Sequence, residues 1–291
     1  MNEAITQMLE RYKCVTSVDY QNALKEIIQE LALFGLWRSK FFEHAAFYGG
    51  TALRILYRLN RFSEDLDFSL LKPNADFKLQ NYEEGVRKEL EAFGFSLQVE
   101  VKKKNTQTMV QSAFLKGNTL EHLLKVGMPS RLNKQFHPSE MVKIKFEIDT
   151  DPPPRFQTES VPIFLPVPYS VRTYKMPDLF SGKLSALLFR KWQKRVKGRD
   201  WYDFLWYVGR ETPVNLDHFQ ARMEQIGKGT SGEILTLKEL QDLIHDKIDH
   251  VDLELAKQDV IPFISDPTHL DGWSKDFFHT AVDRLTASND S

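Results

Sequence analysis

The sequence predicts an α/β fold, a mixed sheet flanked by helices, joined to a C-terminal helical bundle. Three observations carry the prediction. In "FSLQVEVKK" and "MVKIKFEIDT" apolar residues recur at every second position, the period of a strand with one buried face. Upstream of Pro152 such stretches alternate with helical ones, whereas beyond Pro177 only the helical period remains. A proline-rich segment, Pro152-Pro153-Pro154 followed by Pro162, Pro166 and Pro168, separates the two regimes; it suits neither a central strand nor a helix interior and reads as an extended crossover. The expected domains are 1–175 and 176–291, and 291 residues of which 42% are hydrophobic suffice for two cores.

Taken in order, "DYQNALKEIIQELALFGLWRSK" repeats apolar residues at three- and four-residue steps, an amphipathic helix over about 19–40 with Asp19 as its cap. A short apolar strand, Ala45 to Tyr48, leads into the Gly49-Gly50 turn, a helix from about Thr51 to Leu59 and a second strand from about Asp65 to Leu71. After the Lys72-Pro73-Asn74 break a helix ends at Gly94, where a left-handed cap forms without steric cost. Phe95, Leu97, Val99 and Val101 share one strand face, and "VQSAFLKG" pairs with them behind a polar turn at Lys104-Asn105. The strand from Met141 to Thr150 buries Val142, Ile144, Phe146 and Ile148 and presents Lys143, Lys145, Glu147 and Asp149. Further helices are expected in "DLFSGKLSALLFRKWQKRV", in "RDWYDFLWYVGR", over about 216–226 and 237–248, and near 273–285, with "GKGTSG" a loop by composition.

A formal net charge of -1 gives no global basic field for nucleic acid, so any such surface must be local. The single cysteine, Cys14, excludes an internal disulfide framework and a CxxC zinc site, and suits a reducing compartment. No segment has the apolar core of a signal peptide or approaches ~18 uninterrupted apolar residues, so the expectation is a cytoplasmic protein that does not engage a membrane. The eight histidines show no HxH or HExxH spacing and no nucleophile elbow is present, which removes zinc hydrolysis and triad chemistry. "FSGKLS" lacks the first glycine of a phosphate-binding P-loop, Pro177 standing in its place.

The chemistry concentrates in "FYGGTALRILYRLNRFSEDLDFSL". Residues two apart in a strand point to one face, so Asp65 and Asp67 project together. Like charges this close repel, and a cation between them resolves the conflict. Mg2+ prefers oxygen ligands, binds through one or two carboxylates plus substrate phosphates, and fits best. The structural alternative is a strand edge whose aspartates face water and deter pairing. Gly49 and Gly50 stand between strand and helix, where the missing Cβ lets backbone N–H groups approach an anion and the helix start adds partial positive charge. Thr51 supplies a hydroxyl donor or caps the helix. Together the halves set a phosphate grip beside a metal donor, the pairing that nucleotide transfer requires.

"GGTALRILYRLNRFSEDLDF" resembles the motif of the AbiEii/AbiGii-type nucleotidyltransferases, a branch of the DNA polymerase β-like nucleotidyltransferase superfamily that includes toxins of type IV toxin-antitoxin and abortive-infection systems. Their Gly-Gly-Ser/Thr and Arg-x-Ser/Thr-x-Asp-x-Asp are matched by Gly49, Gly50 and Thr51, then Arg61, Ser63, Asp65 and Asp67. A later Lys, an Arg two turns on and Arg-Asp-x-x-Asp are matched by Lys183, Arg190 and Arg199-Asp200-Trp201-Tyr202-Asp203. The resemblance covers about Phe47 to Tyr207. It implies a Mg2+-dependent transfer of a nucleoside monophosphate from a nucleoside triphosphate to an acceptor hydroxyl. The metal would sit on Asp65, Asp67 and a later carboxylate, Glu147 or Asp149, while Gly49, Gly50, Thr51, Ser63, Lys183 and Arg190 face the nucleotide. It further implies that Lys183 with Asp203 or Asp200 completes the essential set, that RNA, in particular the tRNA 3′ end, is the acceptor, and that a separately encoded antitoxin is the partner.

Read physically, Lys183 and Arg190 lie two helical turns apart on one face and suit a triphosphate, or form an exposed cationic face. Asp200 and Asp203 are neighbours at i and i+3, placed to fix Lys183 or Arg190, to touch substrate, or to bridge helices. The basic run Arg190 to Arg199 with Trp192 is either an RNA contact or a solvated helix end, and the aromatics of "WYDFLWY" read as helical core. Two other readings share these motifs: nucleotidyl transfer to an antibiotic or another small molecule, and a non-catalytic binding scaffold.

Overall fold

The computed structural model describes residues 2–102, 109–190, 196–229 and 234–288. By mutual packing the chain divides into two units, one comprising Met1–Arg58, Ser63–Pro152 and Glu159–Thr173, the other Leu59–Phe62, Pro153–Thr158 and Tyr174–Ser291.

The first unit is the α/β one. Its elements are α1 (Glu3–Glu10), α2 (Ser17–Arg38), β1 (Ala45–Tyr48), α3 (Gly49–Tyr57), β2 (Leu66–Leu70), α4 (Glu83–Ala92), β3 (Gln98–Lys102), β4 (Val110–Asn118), α5 (Thr119–Lys125), β5 (Met141–Asp149), β6 (Thr158–Ile163) and β7 (Tyr169–Tyr174). They build a seven-stranded mixed sheet in the order β3-β4-β5-β2-β1-β7-β6. β1 runs antiparallel to β2, β2 parallel to β5, and β1 parallel to β7. The alternation read in β5 holds, with Val142, Ile144, Phe146 and Ile148 buried. On that face Phe47, Phe68 and Phe146 form a continuous aromatic row, with centroids 5.3 and 6.0 Å apart, which Phe41 joins edge-on. Placing three neighbouring strands by one row of rings fixes the β1–β2–β5 register, because a one-residue slip would turn each ring to the other face.

Several boundaries differ from expectation for local reasons. α2 is capped by Thr16, and Asp19 returns the bond at N3 in a reciprocal capping box, so the helix starts earlier than expected. α3 begins at Gly49 itself and ends at Tyr57, where Arg58 takes a left-handed conformation. The helix expected to end at Gly94 is shorter: only Glu83–Ala92 is α-helical, after a 3-10 turn at Leu79–Tyr82, and Gly94 has the left-handed φ of +91°. The proline-rich crossover contains two strands, β6 and β7. Pro162 is accommodated because β6 is the sheet edge, where a missing N–H breaks no ladder. The turn expected at Lys104-Asn105 lies outside the described residues.

The second unit is helical, as the period beyond Pro177 implies: α6 (Met176–Phe189), α7 (Gly198–Gly209), α8 (Leu216–Gln225), α9 (Leu237–His250), α10 (Leu253–Val260) and α11 (Lys275–Asp283). α10 was not anticipated. Trp201, Phe204 and Tyr207 recur on the buried face of α7; Tyr207 stacks on Phe180 at 4.5 Å and Trp201 meets Phe278 edge-on at 5.2 Å. These aromatics are core. No helix among the described residues is long and apolar enough to cross a membrane. The "GKGTSG" loop lies partly outside the described residues.

Candidate active site

In the first unit the site is built where β1 turns into α3. Tyr48 occupies the cap position with extended backbone and gives no side-chain cap bond, and the first turn holds no acidic residue. The first amides of α3, at Gly49, Gly50 and Thr51, thus receive no cap from the Tyr48 side chain, and the helix start carries partial positive charge there. α3 is held in place by Arg54, whose Nε donates to Glu26 Oε1 of α2 at 2.5 Å.

Asp67 on β2 is the register partner of Tyr48, one residue before that helix start. A Cβ on Gly49 would lie 2.7 Å from Asp67 Oδ2 and 3.2 Å from Asp67 Cβ, and Gly49 has a φ of +81°. The glycine thus answers two demands at once: a left-handed backbone, and room for a carboxylate against the helix start. Gly49→Ala is expected to displace Asp67 and to cost about 1–3 kcal/mol from backbone strain alone. Thermal melting together with an activity assay on that variant checks both effects.

Asp65 stands one residue outside the ladder, since β2 begins at Leu66. Its carbonyl accepts the hydroxyl proton of Thr51, which is buried. Thr51 thus does not cap its own helix; it ties the first turn of α3 to the residue that opens β2. Sequence reasoning missed Gln29. This fully buried side chain of α2 donates through Nε2 to the carbonyls of Ser63 and Glu64, at 3.1 and 2.9 Å, and pins the backbone leading into Asp65. The available signal was a polar residue on the apolar face of the helix.

The two candidates for a third carboxylate separate by register. Glu147 of β5 is the direct neighbour of Asp67, whereas Asp149 neighbours Ser69. Glu147 is engaged by Lys145 Nζ at 2.7 Å and by the Ser112 hydroxyl at 3.3 Å; Asp149 accepts the N–H of Asp151 at 3.0 Å. Among the described residues no group of three His, Cys, Asp or Glu side chains is arranged to hold a metal. Asp65 and Asp67 alone are nevertheless an all-oxygen donor set of the kind that suits Mg2+, which commonly takes one or two carboxylates and completes its shell with phosphate and water.

The second unit gathers Arg61, Lys183, Asp200 and Asp203. Arg61 donates to Asp203 through Nε at 2.6 Å and Nη2 at 2.7 Å, a bidentate pair with both residues buried. Lys183 Nζ reaches Asp200 Oδ1 at 2.8 Å and Asp203 Oδ2 at 2.7 Å. Burial opposes charge on all four, but the pairs outweigh it. Asp203 is held below the usual carboxylate range by Arg61 and Lys183, Asp200 by Lys183 and Lys197, and Lys183 is raised by Asp200 and Asp203.

Arg190 does not share the helical face of Lys183. α6 ends at Phe189, and Arg190 leaves it in extended conformation, exposed. It lines a cavity of about 260 Å³ with Lys197, Asp200, Lys247 and His250. Burial, together with Arg190, Lys183 and Arg199 and against the pull of Asp200, brings Lys197 down to about 8. Trp192 and residues 191–195 of the basic run lie outside the described residues.

Fold and composition thus define an α/β protein on a mixed seven-stranded sheet with a helical second unit. The family model described as "Nucleotidyl transferase AbiEii toxin, Type IV TA system" matches residues 31–281, and the chain belongs to that family of nucleotidyltransferase toxins. Two solved structures are similar to it. One, from H. pylori and provisionally described as a nucleotidyltransferase, shares 19% identity over 91% of this chain and 97% of its own, with a TM-score of 0.45. The other, JHP933 from Helicobacter pylori, shares 19% identity over 91% and 94%, with a TM-score of 0.44. No curated protein matches the chain.

Proposed function

We propose that the chain transfers a nucleoside monophosphate from a nucleoside triphosphate to a hydroxyl of RNA, with the tRNA 3′ end as the favoured acceptor, and thereby arrests growth as the toxin of a pair whose antitoxin is separately encoded. The packing of the Asp67 carboxylate against Gly49 at the start of α3 supports this reading, because a carboxylate suited to a metal stands against a helix start suited to phosphate. The amides of Gly49, Gly50 and Thr51 hold the phosphates, with Ser63 beside them. Asp65 and Asp67 are the residues that would hold Mg2+, with Glu147 the nearest further carboxylate. When bound, the ion offsets charge on the phosphoryl oxygens. The family resemblance assigns Lys183 and Arg190 to the nucleotide as well, and within the second unit Asp200 and Asp203 hold Lys183. The acceptor oxygen bonds to the α-phosphorus as the α–β bridging bond breaks; the hydroxyl proton is lost to solvent and pyrophosphate leaves. The phosphate-holding glycines and the two aspartates lie in the nucleotidyltransferase domain, 1–175, and Lys183, Arg190, Asp200 and Asp203 in the helical domain, 176–291; an enzyme acting on tRNA works in the cytoplasm.

Incubation with triphosphates labelled at the α-phosphate, Mg2+ and total RNA tests this. Label in RNA of tRNA size that is lost on adding a chelator is the expected result. Label entering only a small molecule or protein would remove the RNA acceptor while leaving nucleotidyl transfer in place.

A further inference from the structure

The first unit carries a second polar cavity, of about 410 Å³, away from the Gly49 turn. It is lined by Trp37 and Arg38 at the end of α2, by Lys40 after it, and by Ser160 of β6 with Ser170 and Arg172 of β7. Ser170 and Arg172 alternate with the buried Tyr169, Val171 and Thr173, so they present the opposite face of the strand. Trp37 is 39% exposed and is held on one side by Phe34, stacked at 5.9 Å, and by Tyr169, also at 5.9 Å. Among the described residues the Arg172 side chain makes no hydrogen bond or ion pair, while Lys40 reaches only Glu43, at 3.9 Å, and Arg38 reaches Glu89 at 3.4 Å. Glu43 is the one carboxylate in the lining, against three cations.

We infer that this cavity holds a nucleotide of the RNA acceptor, its base against Trp37 and its phosphates on Lys40 and Arg172. The inference rests on the RNA reading above. A braced, half-exposed indole beside cations and hydroxyl donors is the combination by which single-stranded nucleic acid is held without regard to sequence, and the volume suits one nucleotide. Position favours a polymer over a free nucleotide. Trp37 to Glu43 precede β1 whereas Gly49 follows it, and Arg172 lies level with Ala46 in the parallel β1–β7 pair, so roughly 10 Å at about 3.3 Å per residue separates Arg172 from the level of Gly49. The triphosphate group alone is shorter than that span, whereas successive nucleotides of an RNA chain cover it, and competition by ATP distinguishes the two.

The test is fluorescence anisotropy of the full chain with a fluorescein-labelled single-stranded oligoadenylate, across a salt series. The Lys40→Glu/Arg172→Glu double variant is expected to bind about tenfold more weakly at moderate salt, with the slope of log affinity against log salt reduced by about 1.4, two phosphate contacts at about 0.7 each. Arg172→Lys retains the slope. Equal binding by the parent and the double variant overturns the inference and leaves the RNA acceptor standing, as does ATP competing fully for the cavity. Oligoadenylate binding that depends on the cavity, in a chain that labels no RNA, upholds it and overturns the acceptor reading instead. A parent that does not bind the oligoadenylate overturns the cavity proposal.

Discussion

Asp67→Asn is expected to lower nucleotidyl transfer by about a thousandfold or more while leaving the melting temperature nearly unchanged. Asparagine keeps the shape that fills the space over Gly49, so the β1–β2 register and the left-handed glycine are undisturbed. What it removes is the charge. A carboxylate near a helix start contributes about 0.3–1 kcal/mol to stability, whereas the phosphoryl charge that a carboxylate-held metal offsets is worth several kcal/mol. The two losses differ enough to be separated by measuring incorporation of label and thermal unfolding on the same preparation. Asp65→Asn is expected to act the same way, because asparagine keeps the backbone carbonyl that Thr51 holds. Activity within tenfold of the parent in both variants would remove these aspartates from the chemistry and favour a binding scaffold.

The first of the two constellations was legible because strand and helix periods, glycine and paired carboxylates are all local signals. "FYGGT" located the turn, and the alternation of β5 put Glu147 and Asp149 on one face. What the sequence left open was register. Whether Glu147 or Asp149 neighbours Asp67 depends on how β2 pairs with β5, which residues about eighty positions apart decide through their rings. Gln29 escaped notice for the same reason, since its bonds run to a loop remote in sequence. β6 and β7 were hidden by the prolines around them: Pro162 sits within β6, an edge that tolerates it, and Pro166 and Pro168 precede β7. Helical spacing misled at Arg190: seven residues from Lys183 implied a shared face only if the helix continued, and it stops at Phe189.

The second constellation yields the larger structural prediction. Asp203→Ala is expected to destabilise the chain by about 3–5 kcal/mol, the usual consequence of removing one partner from a buried ion network. Both oxygens of Asp203 are used, Oδ1 by Arg61 Nε and Oδ2 by Arg61 Nη2 and Lys183, and none of its surface is exposed. Lys183 keeps Asp200, but Arg61 loses its bidentate partner and is left as a buried charge. Replacing both ends with apolar groups, Arg61→Met with Asp203→Leu, is expected to recover much of the stability, because the uncompensated charge is then gone. Activity separates positioning from substrate contact. If Asp203 serves to orient Lys183, the double variant melts normally and works poorly, its deficit appearing as weaker nucleotide affinity with the maximal rate less affected. The pH dependence has a definite sign. The folded-state values of Asp200 and Asp203 are depressed, so their contribution is present above the unfolded carboxylate range, about 3.9, and is lost as pH falls below it. Lys183 is raised, so its contribution is intact below about 10.4 and fades only as pH climbs past that value. Chemical unfolding of the parent and of Asp203→Ala should therefore converge at acid pH and stay apart through neutrality. A constant gap below pH 3 would show that the carboxylate charge is not what holds this network together.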